Sequence, residues 1–108
     1  MKDFYDLVAL SNLFDFEGRI LVDAITATFA RRCTPLPTEA PTAFTDAFTA
    51  DSGKNMQWSA FVRKAGIVGA ADLTSTIALV ELFVEWPLRA AALGQAFVKH
   101  WSPRGPWM

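Results

Sequence analysis

The stretch Thr76-Ile77-Ala78-Leu79-Val80-Glu81-Leu82-Phe83-Val84-Glu85-Trp86-Pro87-Leu88-Arg89-Ala90-Ala91-Ala92-Leu93 decides the fold, because a run this apolar is nearly long enough to cross a bilayer. Its charges reject that reading. Glu81, Glu85 and Arg89 recur every four residues and so line one side of a helix, with Glu85 and Arg89 in the favourable order for an ion pair. The stretch therefore reads as an amphipathic helix of a soluble protein, capped by Asp72, with Leu73, Ile77, Val80, Val84, Leu88 and Ala91 turned inward. Pro87 lies inside it and removes one backbone hydrogen bond, which predicts a kink over residues 83–87.

Helical spacing continues toward the N-terminus. Asp51 or Ser52 caps a preceding helix whose buried side is Met56 or Trp58, Phe61, Val62 and Ala65, and Gly66 stops it. Before that, three prolines and several threonines over residues 34–43 make an extended connector. Leu36, Phe44 and Phe48 give it apolar anchors, with a short helical turn about the two phenylalanines. Ile20, Leu21, Ala24, Ile25, Thr28 and Phe29 repeat at three and four residues, the period of one helical face. Arg31 and Arg32 place positive charge on the last turn of that helix, and Cys33 with Thr34-Pro35-Leu36-Pro37 ends it. A first helix over residues 2–13 begins without an N-cap residue and reads as if cut from something longer.

The expected fold class is all-α, a small bundle of about four helices with the Pro-rich connector and a C-terminal strap, and no strand-like alternation competes with the helical periods. The strap is Trp101-Ser102-Pro103-Arg104-Gly105-Pro106-Trp107. Its prolines stiffen it, and its two indoles are expected to lie back across helices that so small a bundle leaves uncovered. At 108 residues, 52% hydrophobic and 19% charged, the chain is too apolar to stay disordered and is expected to form one helical domain over residues 1–108. The single cysteine excludes an internal disulfide. With no secretory leader or lipidation signal in the sequence, a bacterial cytoplasm is the expected location and no membrane the expected partner.

Net charge is −1, but residues 1–51 carry four Lys/Arg against eight Asp/Glu, and residues 52–108 carry six against three. The basic half offers Lys54, Arg63, Lys64, Lys99 and Arg104 as candidates for phosphate contact, although at this density they read more simply as an ordinary solvated surface. His100, the lone histidine, reads as an exposed side chain with no second ligand near it in sequence. Asp3 and Asp6 lie one turn apart beside Lys2, and from spacing alone two acids at a helix start simply complement the helix dipole.

Several segments, taken in order, carry a resemblance. They are Lys2-Asp3-Phe4-Tyr5-Asp6-Leu7, Phe14-Asp15-Phe16-Glu17-Gly18, Thr28-Phe29-Ala30-Arg31-Arg32-Cys33-Thr34-Pro35-Leu36-Pro37, Gln57-Trp58-Ser59-Ala60-Phe61-Val62-Arg63-Lys64 and the Trp/Pro tail. The sequence resembles the C-terminal part of the AbiEii/AbiGii nucleotidyltransferase toxins, the toxin half of a bacterial toxin–antitoxin (abortive infection) pair. Where that family often has a glycine to stop the second helix, this chain has Cys33.

The resemblance implies the helical C-terminal part of an α/β nucleotidyltransferase-like protein that moves a nucleotide from an NTP, with Mg2+, onto an RNA such as tRNA or another acceptor. The family's Gly-Ser motif and the following Asp-x-Asp pair do not occur in this sequence. The chain alone is therefore expected to bind no cofactor or metal and to be inactive, since phosphoryl transfer depends on that carboxylate cradle. By resemblance only, Asp3, with Lys2 and Asp6 behind it, is an accessory catalytic residue beside the active site. The implied partners are the missing N-terminal nucleotidyltransferase core, the cognate antitoxin and, through the complete protein, RNA. The alternative is a non-catalytic helical interaction module, or a truncated remnant, that binds antitoxin or toxin.

Overall fold

The computed structural model describes residues 1–108. In chain order it contains α1 (Lys2–Leu13), β1 (Phe16–Glu17), α2 (Gly18–Arg31), a 3-10 turn (Thr42–Phe44), α3 (Asp46–Ala50), α4 (Ser52–Ala65), α5 (Leu73–Leu93) and β2 (His100–Trp101). The mostly helical class is as expected. There are five α-helices where about four were expected, the extra one being α3, which Thr45 caps by accepting the Phe48 N–H.

Helix α5 is the axis of the molecule, packed by α1, α2, α3 and the 3-10 turn. Its start is fixed by Asp72, whose carboxylate accepts the Ser75 N–H at 2.8 Å. That bond holds the Asp72 carboxyl below its usual range. At one end, Leu73 and Ile77 meet Trp58 of α4, with Met1, Phe4, Phe44, Phe48, Phe61 and Val62 packed around them. Trp58 Nε1 donates to the Ala71 carbonyl at 3.0 Å, so the indole joins the core without leaving its donor unpaired. Asp51 and Gly66 bound α4 as expected, but Met56 is 72% exposed and Ala65 is also exposed, leaving Trp58 as the helix's one fully buried residue.

The buried face of α5 is turned from the expected one. Leu73, Ile77, Val80 and Ala91 are buried, but Thr76, Phe83, Pro87 and Ala90 complete the face while Val84 and Leu88 are only half-buried. The reason lies in the tail. Phe83 is the hub of an aromatic cluster, with ring centroids 5.0 Å from Phe16, 4.9 Å from Trp101 and 6.1 Å from Trp107.

Pro87 has no N–H for the Phe83 carbonyl four residues earlier, yet α5 continues unbroken to Leu93. The tail supplies the missing donor. Trp107 Nε1 donates to that same Phe83 carbonyl at 2.8 Å. Trp107→Phe is expected to cost about 1–3 kcal/mol by leaving the carbonyl unpaired. Combined with Pro87→Ala, which restores the helical donor, the same change should cost measurably less; equal costs in both backgrounds by chemical denaturation would contradict the pairing.

The second indole works in the same way. Helix α1 ends at Leu13, which leaves the Ser11 carbonyl without its helical partner. It accepts Trp101 Nε1 and the Arg104 backbone N–H, both at 2.8 Å. The strap thus satisfies the orphan carbonyls of two helices. It also forms a feature absent from the sequence reading, an antiparallel ladder pairing Phe16 with Trp101 and Glu17 with His100. Two residues per strand are too few for alternation to register.

Cys33 occupies the left-handed region at φ 51. The Thr34 N–H reaches the Phe29 carbonyl and the Cys33 N–H reaches that of Ala30, at 3.0 and 3.1 Å, so α2 closes in the geometry that glycine normally serves. Cys33→Gly is expected to stabilise the protein by about 1 kcal/mol or slightly less, read as a higher melting temperature. No helix is long and apolar enough to cross a membrane.

Candidate functional site

The first turn of α1 is held from its inner side. Met1 and Phe4 pack on the Trp58, Leu73 and Ile77 cluster, Phe4 meets Phe48 edge-on at 6.0 Å, and Tyr5 leans on Phe61 at 6.1 Å. Tyr5 is thus a packing residue. With Phe4 facing in, Lys2 and Asp3 emerge on the outer side of the helix, exposed, and Asp6 stands half-exposed beside them.

Lys2 and Asp6 form an ion pair, Nζ to Oδ2 2.6 Å. The Asp6 carboxylate hydrogen-bonds the Lys2 ammonium and raises its pKa, with a smaller push from Asp3. The two acids consequently differ in what they can do. Asp6 is ion-paired with Lys2, whereas Asp3 is exposed and makes no salt bridge. The Lys2 side chain stays 76% exposed in this pair, and so exposed a pair leaves its ammonium free to exchange onto a phosphate.

No three His, Cys, Asp or Glu side chains are grouped to hold a metal ion.

The other candidates are dispersed. Lys54 lies in the first turn of α4, over the Phe48 ring at 5.5 Å, Arg63 and Lys64 lie in its last turn, and Lys99 and Arg104 belong to the tail. His100 is exposed, its Nε2 3.4 Å from Asp15 Oδ1 across the ladder. Cys33 is exposed.

One feature had no counterpart in the sequence reading. The connector closes over the charged side of α5, making a groove of about 200 Å³ lined by Pro37, Glu39, Phe44, Glu81, Glu85 and Leu88 among others. Glu81 and Glu85 are consequently half-buried rather than a free solvent stripe, while Glu85 and Arg89 form the expected pair at 3.1 Å. Only the anchor residues Leu36, Phe44 and Phe48 signalled that the connector would return to the helices.

Comparison with known proteins gives one match. The family model described as the nucleotidyl transferase AbiEii toxin of the type IV toxin–antitoxin systems covers residues 1–83. Neither the curated proteins nor the solved structures yield a match.

Proposed function

Since this chain belongs to the AbiEii family of nucleotidyl transferase toxins, we propose that it supplies the helical C-terminal region of such a toxin. Its partner is a nucleotidyltransferase core carrying the Gly-Ser and Asp-x-Asp segments. In that assembly the toxin moves a nucleotide from an NTP, with Mg2+, onto an RNA such as tRNA, and the antitoxin of the pair opposes it. The observation that carries the reading is the family match across residues 1–83 in a chain whose own sequence has no Asp-x-Asp pair.

Within the assembly the helices act as a rigid platform. Phe4 and Met1 lock the first turn of α1 to the core of the domain, and that turn delivers the free Asp3 carboxylate toward the partner. Asp3 is the accessory acid, and Lys2 with Asp6 fixes the local charge around it through their ion pair. A free acid on a rigid helix supports a neighbouring metal and phosphate site by orienting its ligands, a role whose loss typically costs about 10–100-fold.

The test joins this chain to the family's core and follows nucleotide transfer to tRNA. Asp3→Asn is expected to lower the rate about 10-fold or more, while Asp46→Asn, an exposed acid on α3, leaves it unchanged. Equal rates for the two variants would remove Asp3 from the site.

A second reading, a non-catalytic module that binds antitoxin or toxin, is favoured by the apolar side chains that α5 leaves exposed. Unchanged transfer with lost antitoxin binding in variants of that face would select it.

A further inference from the structure

Helix α5 carries a second apolar seam that the fold does not use. Leu79, Leu82, Trp86 and Leu93 are 42%, 47%, 53% and 59% exposed. They recur with Arg89 at alternating spacings of three and four residues, the repeat by which one helix packs along another. Ordinary exposed leucines scatter singly. Here four large apolar groups fall on one side of a 21-residue helix whose opposite side is already in the core.

The spacing is also symmetric. Leu79 and Leu93 stand seven residues to either side of Trp86, or about 10.5 Å along the axis in each direction. These outer positions suit a twofold interface, in which residue i meets j while j meets i.

We propose that the partner of this seam is a second copy of the chain, its α5 lying antiparallel to the first about a twofold axis at Trp86. Leu79 of each copy then meets Leu93 of the other, and the two Trp86 rings face one another. Leu82 lies on the aliphatic stem of the opposite Arg89.

Charge fits the same arrangement. Glu81, Glu85 and Arg89 all lie on one flank of the seam, and Arg89 is held 3.1 Å from Glu85 and 5.1 Å from the Trp86 ring. An antiparallel twofold brings like flanks together in opposite directions. The Arg89 guanidinium of one copy therefore comes beside Glu85 of the other, whereas a parallel pairing would turn this charged flank toward the uncharged flank of its partner. The pairing involves none of the residues proposed for nucleotide transfer, so it stands or falls separately from that function.

Analytical ultracentrifugation of the purified chain over a concentration series tests the proposal. The expected mass is twice 11.9 kDa, and Trp86→Glu should return it to the single mass with its helical circular dichroism kept. A crosslinking arm needs no disruptive change. In a Cys33→Ser background, a mixture of Leu79→Cys and Leu93→Cys chains should give an oxidised dimer between the two kinds, and Leu79→Cys alone should give none. A wild-type chain that stays at the single mass throughout leaves the seam to some other protein and overturns the proposal. So does a Trp86→Glu variant that remains folded and dimeric, or a Leu79→Cys chain that crosslinks to itself.

Discussion

Trp101→Ala is expected to lower the melting temperature by about 12 °C or more, the largest loss of any single substitution in the tail. Trp101 is 1% exposed, and removing so large a buried ring costs about 3–5 kcal/mol. At this chain length each kcal/mol corresponds to about 4 °C or more. Against the roughly 5–15 kcal/mol that holds a domain together, that loss approaches global unfolding. The ring is the joint of the molecule. It packs on Phe83 at 4.9 Å and Trp107 at 5.4 Å, its N–H serves the Ser11 carbonyl at the end of α1, and its backbone pairs with Phe16. Met56→Ala, at a side chain 72% exposed, should move the melting temperature little. A Trp101→Ala protein that melts within a few degrees of wild type would show that the strap merely decorates the bundle.

Gly18→Ala is expected to destabilise by about 1–3 kcal/mol, the cost of overpacking a close contact. The sign is the informative part, because alanine normally stabilises a helical position relative to glycine by about 1 kcal/mol. At Gly18 the chain has no room. Its N–H donates to the Lys99 carbonyl at 2.7 Å, and a Cβ there would stand 2.8 Å from that same oxygen and overlap the Phe97 ring. The oxygen is backbone and cannot swing aside, so the tail must shift away from α2 and open the ladder. Chemical denaturation decides it, since an unchanged or raised midpoint would mean that the tail does not press on α2.

Much of the fold was legible because it is local. Asp51, Gly66 and Asp72 marked the ends of α4 and α5, and the structure uses each of them as a cap. The Glu85–Arg89 pair followed from spacing on one helix. What the sequence hid depends on residues far apart. Trp107 reaches Phe83, and Trp101 reaches Ser11 across 90 positions. These contacts rotate the buried face of α5 toward Phe83 and Ala90 and away from Val84 and Leu88, and no periodicity within α5 encodes a pull from the tail. The connector's closure over Glu81 and Glu85 was hidden for the same reason.

At the candidate residues Asp3, Lys2 and Asp6 the structure adds a local pairing. Spacing placed Asp3 and Asp6 as equivalent acids beside Lys2. The structure separates them, since Lys2 hydrogen-bonds Asp6 and acts on Asp3 only through the weaker long-range attraction. The i,i+4 spacing of Lys2 and Asp6 already favours this pairing over the adjacent Asp3, as it does for Glu85 and Arg89. The family match ends at Phe83, while the indoles that complete the core around Phe83 lie beyond it, at Trp101 and Trp107. The tail is therefore integral to the fold of the matched segment.

The most direct measurement incubates the purified 108-residue chain with radiolabelled NTP, Mg2+ and tRNA and follows label entering the RNA. No label is expected until the nucleotidyltransferase core is supplied, and Asp3-dependent transfer is expected once it is. Label incorporated by the chain alone would contradict it, since these helices would then hold metal and nucleotide themselves.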